Sequence, residues 1–283
     1  MSDQENLGRV APGKLAGARD LAHKAVQWAT KAARANLEAA PDDSHSNLGW
    51  DPKHGAFRSQ PIPNDGGTCF IGFAIADCEL FVVRDGQDMA QYKLAGKTDA
   101  DAGAWLDGQL TELGLKPATS VALPYEMPAS AEQIGTYAPD AVAEELKVLA
   151  AWYSLADTAL TAFAKENDYL HPGPSPVRCW PHHFDYATYV SLEEGDFETA
   201  RGVGVGMSPG DESYAEPYFY INPWPHLDKA SLPQLPAPGH WHTEGFVGAI
   251  ATASEILSLS GIPGELSAFI DAAFAAGRES HGA

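Results

Sequence analysis

Side chains that bind metals or transfer protons are concentrated in one quarter of this 283-residue chain. Residues 171–242 contain six of the 10 histidines, 11 of the 28 aromatic residues and 11 of the 21 prolines. Imidazole and carboxylate groups are common metal ligands, and they are also the usual general acids and bases near neutral pH. We therefore expect the functional site in this segment.

The alternation of side chains along a strand groups some of these residues. In extended segments, His183 shares a face with Asp185, and His240 shares one with His242. The predicted catalytic residues are Asp185 and Glu216. The predicted metal ligands are His183, Asp185, Glu216, His240 and His242. This mixture of nitrogen and oxygen donors suits one divalent metal ion such as Zn²⁺ or Mn²⁺.

Aromatic side chains in the same segment are candidates for the walls of a ligand pocket. The predicted ligand-binding residues are Trp180, Tyr218, Tyr220 and Trp241. The glycine-rich run 202–206 has the spacing of a phosphate loop, but no helix follows it. We therefore predict a strand there, with another group packed close to its backbone.

The polar residues also fit two roles that need no metal. The histidines can be structural residues at a sheet edge, with a ring nitrogen bonded to the backbone. They can also move protons without a metal, with His183 or His242 paired with Asp185 or Glu216. Glu216 precedes Pro217 and equally fits a capping role at a helix or turn.

Charge and composition exclude several classes of function. The chain has 18 basic and 38 acidic residues, a net charge of −20 and an isoelectric point near 4.7. This charge has the wrong sign for nucleic acid or an anionic membrane surface. The sequence has no apolar run of about 20 residues and no secretory signal pattern, and its three cysteines lack CxxC spacing. We therefore expect a cytoplasmic protein that binds neither nucleic acid nor membrane.

Hydrophobic periodicity predicts an α+β fold with antiparallel sheets and flanking helices. Helices are expected from Leu21 to Pro41, from Asp99 to Gly114, from Asp140 onward, from about Glu244, and from Pro263. Short strands are expected over 57–62, 68–76, 79–84, 88–94, 177–191, 200–207 and 215–222.

The order of helix, short strands and helix occurs twice. This order suggests two similar halves, 18–138 and 139–283, although no residue-level repeat accompanies it. No segment has the composition of a flexible linker between them. We therefore expect one compact unit over 18–283, preceded by a flexible N-terminus over 1–17.

Several motifs resemble those of a known family. The motifs are Ser175-Pro176-Val177 with Trp180-Pro181-His182-His183-Phe184-Asp185, Gly210-Asp211-Glu212-Ser213 with Glu216-Pro217-Tyr218-Phe219-Tyr220, Trp241-His242-Thr243-Glu244-Gly245, and Gln60-Pro61-Ile62-Pro63 before a β meander. Together they resemble the DUF5996 family of bacterial proteins of unknown function. The resemblance covers most of residues 20–258 and implies no particular activity, substrate or cofactor.

Two functions are consistent with these patterns. The first is a metal-dependent hydrolase or lyase that acts on a small molecule in a pocket of His, Asp, Glu and aromatic side chains. The second is a non-catalytic module that binds a small molecule or a protein through its Trp/Tyr/Pro-rich surface. In the second case, the partner can be another copy of the chain in a homo-oligomer.

Overall fold

The computed structural model describes residues 6–195, 199–280 and 282. It contains two antiparallel sheets with flanking helices, which confirms the predicted α+β fold. The chain divides into two compact units. One consists of residues 14–154 and 179–184, and the other of residues 1–13, 155–178 and 185–283. The division falls inside a helix, whereas the sequence suggested a boundary between residues 138 and 139. The expectation of a single compact unit stays a prediction.

The unit built mainly from residues 14–154 contains a six-stranded sheet. Its strands are β1 (Gly49–Asp51), β2 (Ala56–Arg58), β3 (Ile62–Asn64), β4 (Gly67–Ala74), β5 (Glu79–Arg84) and β6 (Gln87–Lys93). They follow the order β1-β2-β4-β5-β6, with β3 paired to β4. The helices are α1 (Ala16–Asn36), α2 (Asp99–Glu112), α3 (Ala129–Glu132) and the first part of α4 (Ala143–Glu166).

Local sequence explains most of these elements. Asp85 and Gly86 both have positive φ, which is the backbone conformation that joins β5 and β6 in a tight hairpin. Helix α1 packs on β4, where Ile71 and Phe73 are fully buried. Helix α2 begins at Asp99, because Thr98 is its N-cap and forms a capping box with Asp101.

The other unit contains the second sheet. Its elements are β7 (Gly173–Pro174), β9 (Asp185–Ser191), β10 (Gly202–Ser208), β11 (Tyr218–Trp224), β12 (His240–His242), β13 (Gly248–Thr252), α5 (Ala253–Leu257) and α6 (Ile262–Ser280). The division between the units falls within the short strand β8 (Arg178–Trp180). The order of the strands is β12-β13-β11-β10-β9-β7. Helix α6 packs on one face of β10 and β11, where Gly277 lies against Val203 and Pro223.

Several expectations from the sequence differ from the structure. The single strands expected over 57–62 and 177–191 are each interrupted, because β2 ends at Arg58 and β3 begins at Ile62, and because β8 ends at Trp180 and β9 begins only at Asp185. The helix expected from about Glu244 is wrong, because β13 occupies Gly248–Thr252 and the short α5 begins only at Ala253. Within segment 1–17, which was expected to be flexible, Leu7 and Leu15 are each 1% exposed, and α1 already begins at Ala16. Residues 1–5 of that segment lie outside the described residues.

No helix in the described part of the chain is long and apolar enough to cross a membrane.

Candidate functional site

Strand β10 has glycine at every second position on one face: Gly202, Gly204 and Gly206. The register places Ala187 of β9 and Tyr220 of β11 directly opposite Gly206. A Cβ atom added to Gly206 would lie 2.6 Å from Cζ of Tyr220. The missing side chain therefore makes room for the tyrosine ring over the strand. This confirms the prediction of a packed strand rather than a phosphate loop.

The glycine-containing face brings two predicted site residues together. The Tyr220 hydroxyl donates a hydrogen bond of 2.5 Å to Oδ2 of Asp185. Burial raises the pKa of Tyr220 well above its ordinary value, and the negative charge of Asp185 raises it further. Tyr220 is therefore a permanent donor to this carboxylate at physiological pH.

Asp211 organises the loop between β10 and β11. Its Oδ1 accepts hydrogen bonds from the backbone N–H groups of Ser213 and Tyr214, at 2.8 and 3.1 Å. Its Oδ2 accepts a 2.5 Å bond from the Tyr218 hydroxyl. Burial raises the pKa of Tyr218, and the bond to Asp211 acts in the same direction. Asp211 thereby fixes the position of Tyr214.

Tyr214, His240, His242 and Glu255 form a hydrogen-bonded group that we call the tyrosine–histidine cluster. The Tyr214 hydroxyl lies 2.9 Å from Nδ1 of His242 and 3.3 Å from Nε2 of His240. Nδ1 of His240 lies 3.0 Å from Oε1 of Glu255, and Nε2 of His242 bonds the carbonyl of Glu244. Each imidazole therefore has one nitrogen directed at the phenol and the other at an oxygen acceptor.

The strands explain why the two imidazoles meet. His240 pairs with Ile250 and His242 with Gly248, so both side chains lie on the face that carries Tyr220. Glu255 reaches His240 from the first turn of α5, where its other oxygen accepts from the backbone and hydroxyl of Thr252. The carboxylate thus caps the helix and orients an imidazole at the same time.

Two members of the cluster were not predicted as site residues. Tyr214 is one of several aromatic residues in the segment that could line a cleft, and Glu255 lies outside the segment. A signal for Glu255 is present in the sequence, since Thr252 followed three residues later by Glu255 is a capping-box pattern. It marks the start of α5 and therefore the end of β13.

Glu216 has the capping role that the sequence left open. Its Oε2 accepts hydrogen bonds from the backbone N–H of Ser254, at 2.8 Å, and from the Ser254 hydroxyl, at 2.6 Å. Ser254 lies in the first turn of α5, where backbone N–H groups have no partner within the helix. The structure therefore gives Glu216 a structural role at this helix end.

The remaining predicted residues do not join the cluster. Trp180 and His183 belong to the compact unit of residues 14–154 and 179–184. Trp241 pairs with Ala249, so its side chain lies on the opposite face of β12 from His240. Its indole N–H donates a 2.7 Å bond to the carbonyl of Pro233. Trp241 therefore does not line the same face as the cluster.

The predicted metal site is not assembled. Across the part of the chain that the structure describes, no group of three or more His, Cys, Asp or Glu side chains is arranged to hold a metal ion. The predicted ligands instead have separate partners: Asp185 bonds Tyr220, Glu216 bonds Ser254, and His240 and His242 bond Tyr214.

No family model matches this chain, and no curated protein or solved structure matches it either. The resemblance to the DUF5996 family therefore stays a prediction from the motifs. A function for the chain has to follow from the chemistry of its own residues.

The contact between Gly206 and Tyr220 predicts a difference between two similar substitutions. Gly206→Ala should lower the free energy of unfolding by about 1–3 kcal/mol, because the new methyl group overlaps the Tyr220 ring. Gly204→Ala is the matched control, since a Cβ there meets its nearest atom at 3.7 Å. Urea unfolding followed by circular dichroism measures both. Equal stability of the two variants would contradict the close contact.

Proposed function

We propose that the tyrosine–histidine cluster is an acid–base site that acts on a small polar molecule, in hydrolase or lyase chemistry. The observation that carries this proposal is the position of the Tyr214 phenol between two imidazoles, one of which is held by Glu255. Carboxylate, imidazole and hydroxyl in series are a common arrangement for moving a proton. The reaction class is the one predicted from the sequence, but side chains rather than a metal ion transfer the proton.

The hydrogen bonds of the cluster determine which of its nitrogen and oxygen atoms carry protons. The bond to the Glu244 carbonyl requires a proton on Nε2 of His242, so its Nδ1 accepts the Tyr214 proton. The Tyr214 oxygen can then accept from Nε2 of His240, whose Nδ1 donates to Glu255. Every contact is satisfied when His240 carries both protons. A substrate atom that replaced Nδ1 of His242 as acceptor would take the Tyr214 proton, and Nε2 of His240 would supply the proton that restores the phenol.

The cluster is accessible. The side chains of His240 and Glu255 are each 39% exposed, and Tyr214 is partly buried. Burial raises the pKa of Tyr214, and the charges of Glu255, Asp211 and Glu244 raise it further. Tyr214 therefore stays protonated at physiological pH and is present in the form that can donate a proton.

The non-catalytic alternative has one specific observation in its favour. Asn222 lies on the same face as the glycines of β10, opposite Gly204. Its side-chain oxygen is buried and accepts no hydrogen bond from any residue that the structure describes. A buried acceptor without a donor is costly, so a ligand that donates a hydrogen bond there would be stabilised. The same face could therefore bind a small molecule without transforming it.

Hydrolysis of p-nitrophenyl acetate tests the acid–base proposal without knowledge of the natural substrate. We expect the wild-type protein to accelerate the reaction, and we expect Tyr214→Phe and His242→Gln each to lower the rate at least tenfold. Tyr169→Phe and His226→Gln are matched controls, because both residues are exposed and lie outside the cluster. Circular dichroism confirms that each variant is folded.

The pattern of rates separates the two candidates. Loss of activity in the cluster variants alone would support an acid–base site. Equal rates in the wild-type, cluster and control proteins would contradict it, because ordinary surface histidines would then explain the reaction. A folded wild-type protein with no activity would leave non-catalytic binding as the better proposal.

A further inference from the structure

A second candidate site lies in the other compact unit. A cavity of about 280 Å³ opens beside helix α1, close to the lower end of the size range of small-molecule pockets, which starts at roughly 300 Å³. Trp28, Leu123 and Met127 give it an apolar wall, and Lys24 and Lys31 contribute two amines. No sequence motif indicates this site, because its residues are far apart along the chain.

One of the two amines has protein partners. Lys24 Nζ forms a 3.0 Å ion pair with Oδ2 of Asp99 and donates a 3.3 Å bond to the carbonyl of Glu132. The other oxygen of Asp99 accepts a 2.6 Å bond from the Tyr137 hydroxyl, which in turn accepts from the indole N–H of Trp28. Lys24 and Asp99 are therefore engaged in one continuous network.

The other amine has no such partner. Lys31 Nζ lies 4.7 Å from the centre of the Trp28 ring, in a cation–π contact. Within residues 6–195 and 199–280 it makes no hydrogen bond and no ion pair. Burial lowers the pKa of Lys31; Asp99 opposes this effect, and Lys24 adds to it. The ammonium group thus gives up part of its hydration without gaining a direct hydrogen bond or ion pair.

The charge of this region also differs from that of the chain. Helix α1 carries four basic residues and one acidic residue, although the whole chain has a net charge of −20. Glu132 is the remaining charged residue of the cavity wall, and among the described side chains its carboxylate forms no ion pair. The cavity wall carries two positive and two negative side chains, so it lacks the excess of acidic residues that the whole chain has.

We propose that this cavity binds a small organic anion, with its carboxylate on Lys31 and its apolar part against Trp28, Leu123 and Met127. An anion would give Lys31 the partner that the protein does not provide, and the apolar wall would contact the rest of the ligand. This site is distinct from the tyrosine–histidine cluster, and its existence does not depend on the reaction proposed there.

Calorimetric titration with benzoate tests this proposal. We expect saturable binding with a Kd of about 1 mM or tighter. Lys31→Met should weaken binding at least tenfold, whereas Lys31→Arg should restore it to within a few fold. Glu132→Gln should strengthen binding two- to fivefold, because it removes the unpaired negative charge from the wall. Lys116→Met is the matched control, since this lysine is exposed and lies outside the cavity.

Several results would overturn the proposal. Benzamide is a neutral analogue of benzoate, and equal binding of the two would exclude recognition of an anion. Inorganic phosphate that binds more tightly than benzoate would exclude a role for the apolar wall. Absence of saturable benzoate binding, or equal binding by the Lys31→Met and Lys116→Met proteins, would exclude the site itself.

Discussion

Replacing Phe184 with alanine should lower the free energy of unfolding by about 3–5 kcal/mol, the typical cost of removing a buried aromatic ring. Phe184 is fully buried. Its ring stacks on His23 at a centroid distance of 5.1 Å and also contacts Phe57 and Tyr153. All four residues belong to the same compact unit, so the substitution leaves a cavity among these packed rings.

The backbone at Phe184 allows a sharper test. Its φ is +61°, a left-handed conformation that costs a residue with a side chain roughly 1–2 kcal/mol, whereas glycine adopts it freely. Phe184→Gly should therefore be at least as stable as Phe184→Ala, although glycine is usually the more destabilising replacement. Met89→Ala is the control, because Met89 is 57% exposed. A Phe184→Ala protein as stable as the Met89→Ala protein would contradict this account of the core.

Acid should destabilise the wild-type protein by about 3 kcal/mol more than a His23→Gln variant when the pH falls from 7 to 4. His23 is 4% exposed, and burial lowers its pKa from 6.5 to about 4, although its bond to the carbonyl of Pro181 opposes the shift. In the unfolded chain this histidine binds a proton near pH 6.5, but in the folded protein it does so only near pH 4. The stabilisation is therefore complete above pH 6.5 and is lost as the pH falls to 4.

Urea unfolding of both proteins at pH 7, 5 and 4 measures this difference. Glutamine keeps a hydrogen-bond donor near the Pro181 carbonyl but does not titrate in this range. His183→Gln is the control, because His183 is exposed and only two residues beyond Pro181. If the wild-type and His23→Gln proteins lose the same stability on acidification, His23 does not titrate as described.

The parts of the fold that the sequence predicted well have a strong local signal. Strand β5 lies where its hydrophobic run and the following Asp85-Gly86 turn place it, over Glu79–Arg84. Strand β13 lacks such a signal, because all five of its residues are buried. A short apolar run that is buried on both faces does not alternate, and periodicity alone does not distinguish it from the start of a helix.

The candidate site was harder to predict than the strands. Alternation grouped His240 with His242, and these two residues do lie on one face of the second sheet together with Asp185 and Tyr220. Alternation also placed His183 beside Asp185, but His183 lies in the turn before β9 begins. It could not give their hydrogen-bond partners, which depend on the order of strands in the sheet. Glu216 illustrates the difficulty, since its partner Ser254 is 38 residues away in the sequence.

The discontinuous division of the chain has a consequence for protein synthesis. The unit of residues 14–154 also needs residues 179–184, and Phe184 of that segment lies in its core. When residue 154 emerges from the ribosome, this unit still lacks part of its core. Its packing can be completed only after Phe184 has also emerged. In ordinary co-translational folding an N-terminal unit finishes before the next one is made, and here we expect a delay until the later segment has been synthesised. A nascent chain that stalls between these two points would expose an unfilled core to chaperones and proteases.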